Sequence, residues 1–143
     1  MSSILPNPAL TTHPVDVGAR HEATIIAELI RRGYGVLVPW GVNQRYDLVL
    51  DFGEKFVRAQ CKTGRLRNGV IRFPTGSTQA NTRKGAIRKS YAGEVELFLV
   101  YCPDNGRIYS VPVDDCPANL RVAPTDNGQA RGIRWASDYE LPE

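Results

Sequence analysis

The 143-residue chain suits one domain, and its 42% hydrophobic and 23% charged residues are ordinary for a globular protein with a net charge of +3. Three cysteines without CxxC spacing and two histidines argue against a disulfide framework or a zinc site, and they favour a reducing cytoplasmic location. No apolar run approaches the ~18 residues that a membrane span needs, and residues 1–12 lack the charged and apolar regions of a secretory signal.

The N-terminal half predicts one helix and then a β-hairpin. Residues 1–14 carry Pro6 and Pro8 and are expected to form an arm. A helix should begin near Pro14 and end before Gly33. Its apolar stripe is formed by Ala19, Ala23, Ile26, Ala27 and Ile30. Strands are expected at residues 35–38, 46–52 and 55–63, the last two joined by a type II′ turn at Gly53-Glu54.

The C-terminal half predicts more strands with turn signals between them. We expect strands at residues 70–73, 95–102, 107–111 and 120–122. Residues 74–93 are expected to form a loop that includes one helical turn near residues 84–90. Residues 133–139 are expected to form a strand or a short helix. This order predicts one α/β domain over residues 15–143, in which helices flank a central mixed β-sheet.

The register of the predicted hairpin brings three polar side chains together. If Gly53 and Glu54 form the turn, counting back along both strands places Asp47 opposite Gln60, and opposed residues share a face. Lys62 lies two residues further on and points to the same side. The alternating positions, which are small and apolar, suit packing under the helix: Val57, Ala59 and Cys61.

Glu22 adds a second carboxylate, because it lies four residues before Ile26 on the helix stripe. A carboxylate on that stripe is costly unless it has a partner such as a metal or a lysine. Structural alternatives exist for each polar residue. Glu22 could pair with Arg20 or Arg58, Asp47 could brace the loop of residues 39–45, Gln60 could be an edge-strand polar residue and Lys62 an exposed cation.

This cluster suits phosphodiester hydrolysis. That reaction needs a divalent cation to stabilise negative charge and to activate water, and Mg²⁺ prefers oxygen ligands. Asp47, Glu22, the Gln60 amide and the Cys61 backbone carbonyl can supply such oxygens. Lys62 could orient the water or stabilise charge on the phosphate.

Residues 55–93 carry ten lysines and arginines and no acid, which leaves eight basic and all 15 acidic residues for the rest of the chain. Such a segment favours a polyanion partner, although a solvated basic face explains it equally well. The candidate phosphate contacts are Arg65, Arg67, Arg72, Arg83, Lys84, Arg88 and Lys89.

The ordered combination of Glu22, Tyr46-Asp47-Leu48 and Gln60-Cys61-Lys62 resembles the PD-(D/E)XK nucleases. More narrowly, it resembles the branch with Gln in the second acidic position that includes a group I intron homing endonuclease. The likeness runs from about Val17 to Tyr139 and includes these segments: Gly41-Val42-Asn43, Val95-Glu96-Leu97-Phe98, Val100-Tyr101, Tyr109-Ser110-Val111-Pro112, Asn127-Gly128-Gln129 and Ile133-Arg134-Trp135-Ala136.

This resemblance implies a restriction-endonuclease-like core with Glu22, Asp47, Gln60 and Lys62 as the active site. Glu96 stands where an Asp is expected, and we expect it to be structural. Gln60 in place of an acid leaves the number of bound metals open.

The resemblance also implies a Mg²⁺-dependent endonuclease, with Mn²⁺ as a substitute, that acts on double-stranded DNA by site-specific double-strand cleavage. One compact domain that reads a long target favours a homo-oligomer, a dimer or a tetramer. A junction resolvase, a restriction-type nuclease and a non-catalytic DNA-binding protein are the alternatives on this fold. An RNA-binding or protein-interaction module is a further alternative, and the lack of interleaved aromatics in residues 62–90 argues against single-strand stacking.

Overall fold

The computed structural model describes residues 4–41, 44–81, 85–115, 119–124, 127–128 and 132–142, leaving out the side chains of 77–81, 85–89 and 115. Within these ranges the elements are helix α1 (Pro14–Arg31) and strands β1 (Gly35–Leu37), β2 (Leu48–Asp51), β3 (Phe56–Thr63), β4 (Arg65–Arg67), β5 (Val70–Arg72), β6 (Gly76–Asn81), β7 (Gly85–Ser90), β8 (Leu97–Cys102), β9 (Arg107–Pro112) and β10 (Asn119–Arg121). Short 3-10 helices span Val113–Asp115 and Ala136–Asp138. None of the helices in this part of the chain has the length and apolar character to span a membrane.

Helix α1 begins and ends where the sequence predicted. The His13 ring accepts a hydrogen bond from the Val15 backbone N–H at 3.2 Å, and Pro14 occupies the first turn. The buried face is not the predicted alanine stripe, since Ala19, Ala23, Ala27 and Ile30 are exposed. That face centres instead on Ile25 and Leu29, and Glu22 lies one turn before Ile25 on the same side.

The main sheet has five strands in the order β1-β2-β3-β8-β9. Strands β3 and β8 pair in parallel, whereas the other neighbours are antiparallel, so the sheet is mixed as predicted. The β2–β3 register pairs Asp51 with Phe56 and Leu48 with Ala59, which confirms the predicted hairpin. Gly53 has a φ of 84°, as the first central residue of a type II′ turn requires.

The two faces of this sheet are covered differently. Helix α1 packs on one of them, the helix face, against Leu48, Ala59 and Leu99. On the opposite face, Phe98 and Val100 belong to a second buried cluster. A three-stranded sheet in the order β10-β5-β4 contributes Ile71 and Leu120 to that cluster. The α/β class is therefore confirmed, while the predicted second helical layer is replaced, in the part of the chain described, by a small sheet.

Two hairpins correct the sequence-based elements. Strands β4 and β5 are joined by Asn68-Gly69, both with positive φ (53° and 76°), which form a type I′ turn absent from the predicted elements. Residues 74–93 were expected to be a loop with a helical turn, but β6 and β7 pair over six positions. That hairpin was missed because its polar sequence has no alternating apolar pattern.

The C-terminal segment joins both sheets through isolated β-bridges. An isolated bridge pairs Trp135 with Arg121 of β10, and another pairs Glu140 with Tyr109 of β9. The strand or short helix expected at residues 133–139 is thus a 3-10 turn between two bridges, and it adds Ala136 to the core.

Candidate active site

Asp47 lies one residue before β2 and closes the β2–β3 ladder. Its backbone N–H donates to the Ala59 carbonyl at 2.9 Å, and its carboxylate accepts from the Cys61 N–H at 2.8 Å. The Asp47 carboxylate oxygen thus accepts the hydrogen bond from Cys61 that a backbone carbonyl of a longer β2 would accept. Strand β3 itself continues to Thr63, paired with β8. The Asp47 carboxylate is thereby fixed beside the middle of β3.

Gln60 and Lys62 point away from α1, because the intervening Cys61 packs towards the helix face. They pair in register with Phe98 and Val100, whose side chains lie in the cluster on the opposite face. The Gln60 Oε1 atom is buried and has no hydrogen-bond partner among the described residues. An orphaned amide oxygen of this kind is expensive, and it is an available ligand for a cation.

Glu22 approaches from α1. It lines a cavity of about 320 Å³ between the helix and the end of β3, together with His21, Cys61, Lys62 and Thr63. Within the described ranges its carboxylate has no hydrogen bond or ion pair. The proposed surface partners are engaged elsewhere: Arg20 donates to the Thr11 carbonyl, and Arg58 pairs with Glu96. The alternative of a surface ion pair for Glu22 is therefore wrong.

The two carboxylates are electrostatically coupled. Burial raises the pKa of Glu22, and the negative charge of Asp47 raises it further. Burial also raises the pKa of Asp47, although the Cys61 N–H and the Lys62 charge oppose the change. Ionising both acids is thus costly in the protein alone, and a bound cation would offset that cost.

The donor set fits Mg²⁺ better than a soft metal. No group of three or more His, Cys, Asp or Glu residues suited to a metal occurs in the described part of the chain. The available ligands are the Glu22 and Asp47 carboxylates, the Gln60 amide oxygen and a backbone carbonyl. Burial raises the pKa of the Cys61 thiol, so that residue offers its carbonyl rather than a thiolate.

His21 lies beside Glu22 at the end of β3. The ring is partly buried, its Nδ1 lies 2.7 Å from the Thr63 hydroxyl, and it meets Tyr101 edge-on at 5.2 Å. Burial lowers the His21 pKa, as does the charge of Arg65. The hydrogen bond to Thr63 fastens the start of α1 to the end of β3.

Glu96 has the structural role expected for it. Its carboxylate binds the Arg58 guanidinium at 2.9 Å and accepts from the Arg58 backbone N–H at 2.8 Å. These hydrogen bonds lower the Glu96 pKa. The pair ties the start of β8 to β3 without adding an acid to the cluster around Asp47.

Three of the predicted phosphate contacts share one exposed surface, which we name the arginine face: Arg65, Arg67 and Arg72 on the outside of β4 and β5. Arg65 and Arg72 are directly opposed across the strand pair, an arrangement that is unfavourable without an anion nearby. The remaining four lie outside the described residues or side chains: Arg83, Lys84, Arg88 and Lys89.

The chain is similar to known endonucleases in sequence and in fold. The sequence model of the PD-(D/E)XK endonuclease family matches residues 12–142. A solved structure of a bacterial homing endonuclease, I-Ssp6803I, is similar with a TM-score of 0.66 and 25% sequence identity, over 86% of this chain and 85% of that one. No curated protein matches the chain.

Proposed function

The chain belongs to the PD-(D/E)XK endonuclease family, and from this premise we propose that it is a Mg²⁺-dependent enzyme that cleaves double-stranded DNA at specific sites. Mn²⁺ would substitute for Mg²⁺. The likeness to a homing endonuclease favours double-strand cleavage by a homo-oligomer, a dimer or a tetramer.

The observation that carries the proposal is the buried Gln60 amide oxygen, which has no partner among the described residues and precedes Cys61, whose backbone N–H binds the Asp47 carboxylate. Leaving such an atom unsatisfied costs about 1–3 kcal/mol, so a site with this defect is expected to serve a ligand. The raised pKa values of Glu22 and Asp47 also support a cation site, because a nearby positive charge would make both carboxylates easier to ionise.

Each residue then has a defined role. Glu22, Asp47, Gln60 and the Cys61 carbonyl would hold Mg²⁺, which supplies charge stabilisation and a more acidic water for attack on phosphorus. Lys62 contributes a positive charge to the phosphate as negative charge develops on its oxygens. These roles define the catalytic set as Glu22, Asp47, Gln60 and Lys62.

The arginine face supplies the adjoining DNA surface. Strand β4 continues directly from β3 through Gly64, so Arg65 lies three residues after Lys62. The charge of Arg65 also lowers the pKa of His21, which places Arg65 near the start of the site. A DNA backbone on the arginine face would therefore run next to the catalytic set. The other predicted phosphate contacts, Arg83, Lys84, Arg88 and Lys89, remain part of the proposal.

Two substitutions at Gln60 test the metal role. Gln60→Leu removes the amide oxygen at similar size, whereas Gln60→Glu keeps an oxygen at the same position. Cleavage of supercoiled plasmid in Mg²⁺ should be lost in Gln60→Leu and stay within about tenfold of wild type in Gln60→Glu. Calorimetry with Mg²⁺ should show weaker binding in Gln60→Leu. Full activity or unchanged Mg²⁺ affinity in that variant would overturn the assignment.

A substrate panel separates the finer alternatives on this fold. Site-specific double-strand cleavage predicts discrete ends when plasmid products are sequenced, and equal cutting of both strands. Preference for a four-way junction would indicate a resolvase, and a short recognition site would indicate a restriction-type nuclease. Binding without Mg²⁺-stimulated cleavage on any substrate would indicate a non-catalytic DNA-binding protein. Sedimentation of the purified chain tests the oligomer.

A further inference from the structure

The Lys62 ammonium is held by an aromatic group. Its Nζ lies 3.4 Å from the Tyr91 hydroxyl and 4.5 Å from the centre of the Tyr91 ring, with the Phe98 ring 5.9 Å away. Among the described residues, no carboxylate lies within ion-pair distance of this nitrogen. The position of the ammonium is therefore determined by Tyr91 and not by an ion pair with Asp47 or Glu22.

Tyr91 is a rigid support for this contact. The residue is 4% exposed, and its ring packs edge-on against Phe98 with centroids 5.7 Å apart. The guanidinium of Arg45 lies 3.9 Å from the ring centre. That same guanidinium donates to the Ser90 carbonyl and pairs with Glu94, which fixes the chain on both sides of Tyr91.

A lysine at this place needs such a support. Its four-carbon chain has up to about 2 kcal/mol of rotamer entropy, and its charge is attracted to the two nearby carboxylates. An ammonium that paired with Asp47 would compete with a cation for the same oxygens. A tyrosine can hold the ammonium beside the acids without competing, because its hydroxyl oxygen accepts a hydrogen bond and its ring face attracts a cation.

We propose that Tyr91 is a positioning residue that holds the Lys62 ammonium in place for catalysis. The inference rests on the proposed function, since it takes Lys62 to act on the phosphate. Tyr91 touches neither DNA nor metal in this scheme and acts through Lys62.

The first test replaces Tyr91 by phenylalanine, which keeps the ring and removes the hydroxyl. The ammonium then keeps its contact with the ring and loses its contact with the hydroxyl, so the single-turnover cleavage rate should fall by roughly tenfold. The affinity for duplex DNA and the Mg²⁺ concentration for half-maximal rate should not change. An unchanged cleavage rate, or a loss explained by weaker DNA binding, would overturn the proposal.

Tyr109→Phe is the matched control. Tyr109 is also a buried tyrosine of the same core cluster, and its hydroxyl accepts a hydrogen bond from the Asn105 amide at 3.0 Å. This variant should lose some stability and keep the wild-type cleavage rate. An equal loss of rate in Tyr109→Phe would show that the effect of Tyr91→Phe is a general effect on the core, and would overturn the proposal.

A spectroscopic measurement tests the contact between Lys62 and Tyr91 without depending on the proposed activity. In protein with ¹³C-labelled lysine, the ring current of Tyr91 should shift the Lys62 side-chain signals away from those of the other lysines, with Lys62→Ala as the assignment control. Lys62 signals that coincide with the rest would refute the positioning. A wild-type protein that cleaves no DNA would refute the proposed function, while the shift would still report the contact.

Discussion

Replacing Asp47 by asparagine should abolish cleavage without destabilising the protein. The amide oxygen of Asn can still accept from the Cys61 N–H, which Asp47 binds at 2.8 Å, so the end of the ladder stays satisfied. The change removes the negative charge that burial disfavours, as the raised pKa of Asp47 indicates. The weaker neutral hydrogen bond costs about 1 kcal/mol, and relief of the buried charge offsets that cost.

The loss of rate is expected to be much larger than any effect on stability. A group that stabilises charge in a transition state contributes about 10²–10³ in rate, or roughly 2.7–4 kcal/mol. We would measure single-turnover cleavage in Mg²⁺ and, separately, urea unfolding in EDTA at neutral pH. Asp47→Ala is less informative, because it leaves the Cys61 N–H unsatisfied and costs about 1–3 kcal/mol of stability.

Asp51→Asn is the matched control at the other end of the same hairpin. Its carboxylate accepts from the Gly53 N–H at 2.8 Å and is exposed, so the same chemical change there should leave cleavage intact. The reasoning would be refuted by wild-type cleavage in Asp47→Asn. It would also be refuted by destabilisation of several kcal/mol, since that would make Asp47 a structural brace for the preceding loop.

Three further predictions concern residues outside the catalytic set. Gly64→Ala should lower the free energy of unfolding, measured in urea, by about 1–3 kcal/mol, because the added Cβ would lie 2.8 Å from Ile71 and 3.0 Å from Val100. Gly18→Ala is the control and should be neutral or stabilising, because its Cβ would meet nothing within 4 Å. Neutralising the arginine face should flatten the slope of log affinity for DNA against log salt by about 0.9 per lost phosphate contact, and identical slopes would move the DNA path elsewhere. Two arginines lower the pKa of Glu28 from 4.5 to about 2, so the stability advantage of wild type over Glu28→Gln should hold above pH 4.5 and vanish as pH falls towards 2.

The hairpin that carries the candidate site was predictable from the residue pattern alone. Turn type and side-chain alternation are local properties, so Gly53 and the flanking strands were enough to give the β2–β3 register, from which the shared face of Asp47, Gln60 and Lys62 is predicted. Helix α1 followed equally from its capping and end signals. The family resemblance was likewise readable from residue types and their order, and the match of the family model over residues 12–142 confirms the family.

The surroundings of these residues depend on tertiary packing. The contact of Lys62 with Tyr91 joins residues 29 positions apart, and the pairing of Arg58 with Glu96 joins residues 38 positions apart. The burial of Gln60 Oε1 depends on which layers cover the sheet. The buried face of α1 was displaced from the predicted stripe because packing against β3 and β8 selected Ile25 and Leu29. The polar β6–β7 hairpin has no alternating apolar residues, so no side-chain pattern in the sequence predicted its strands.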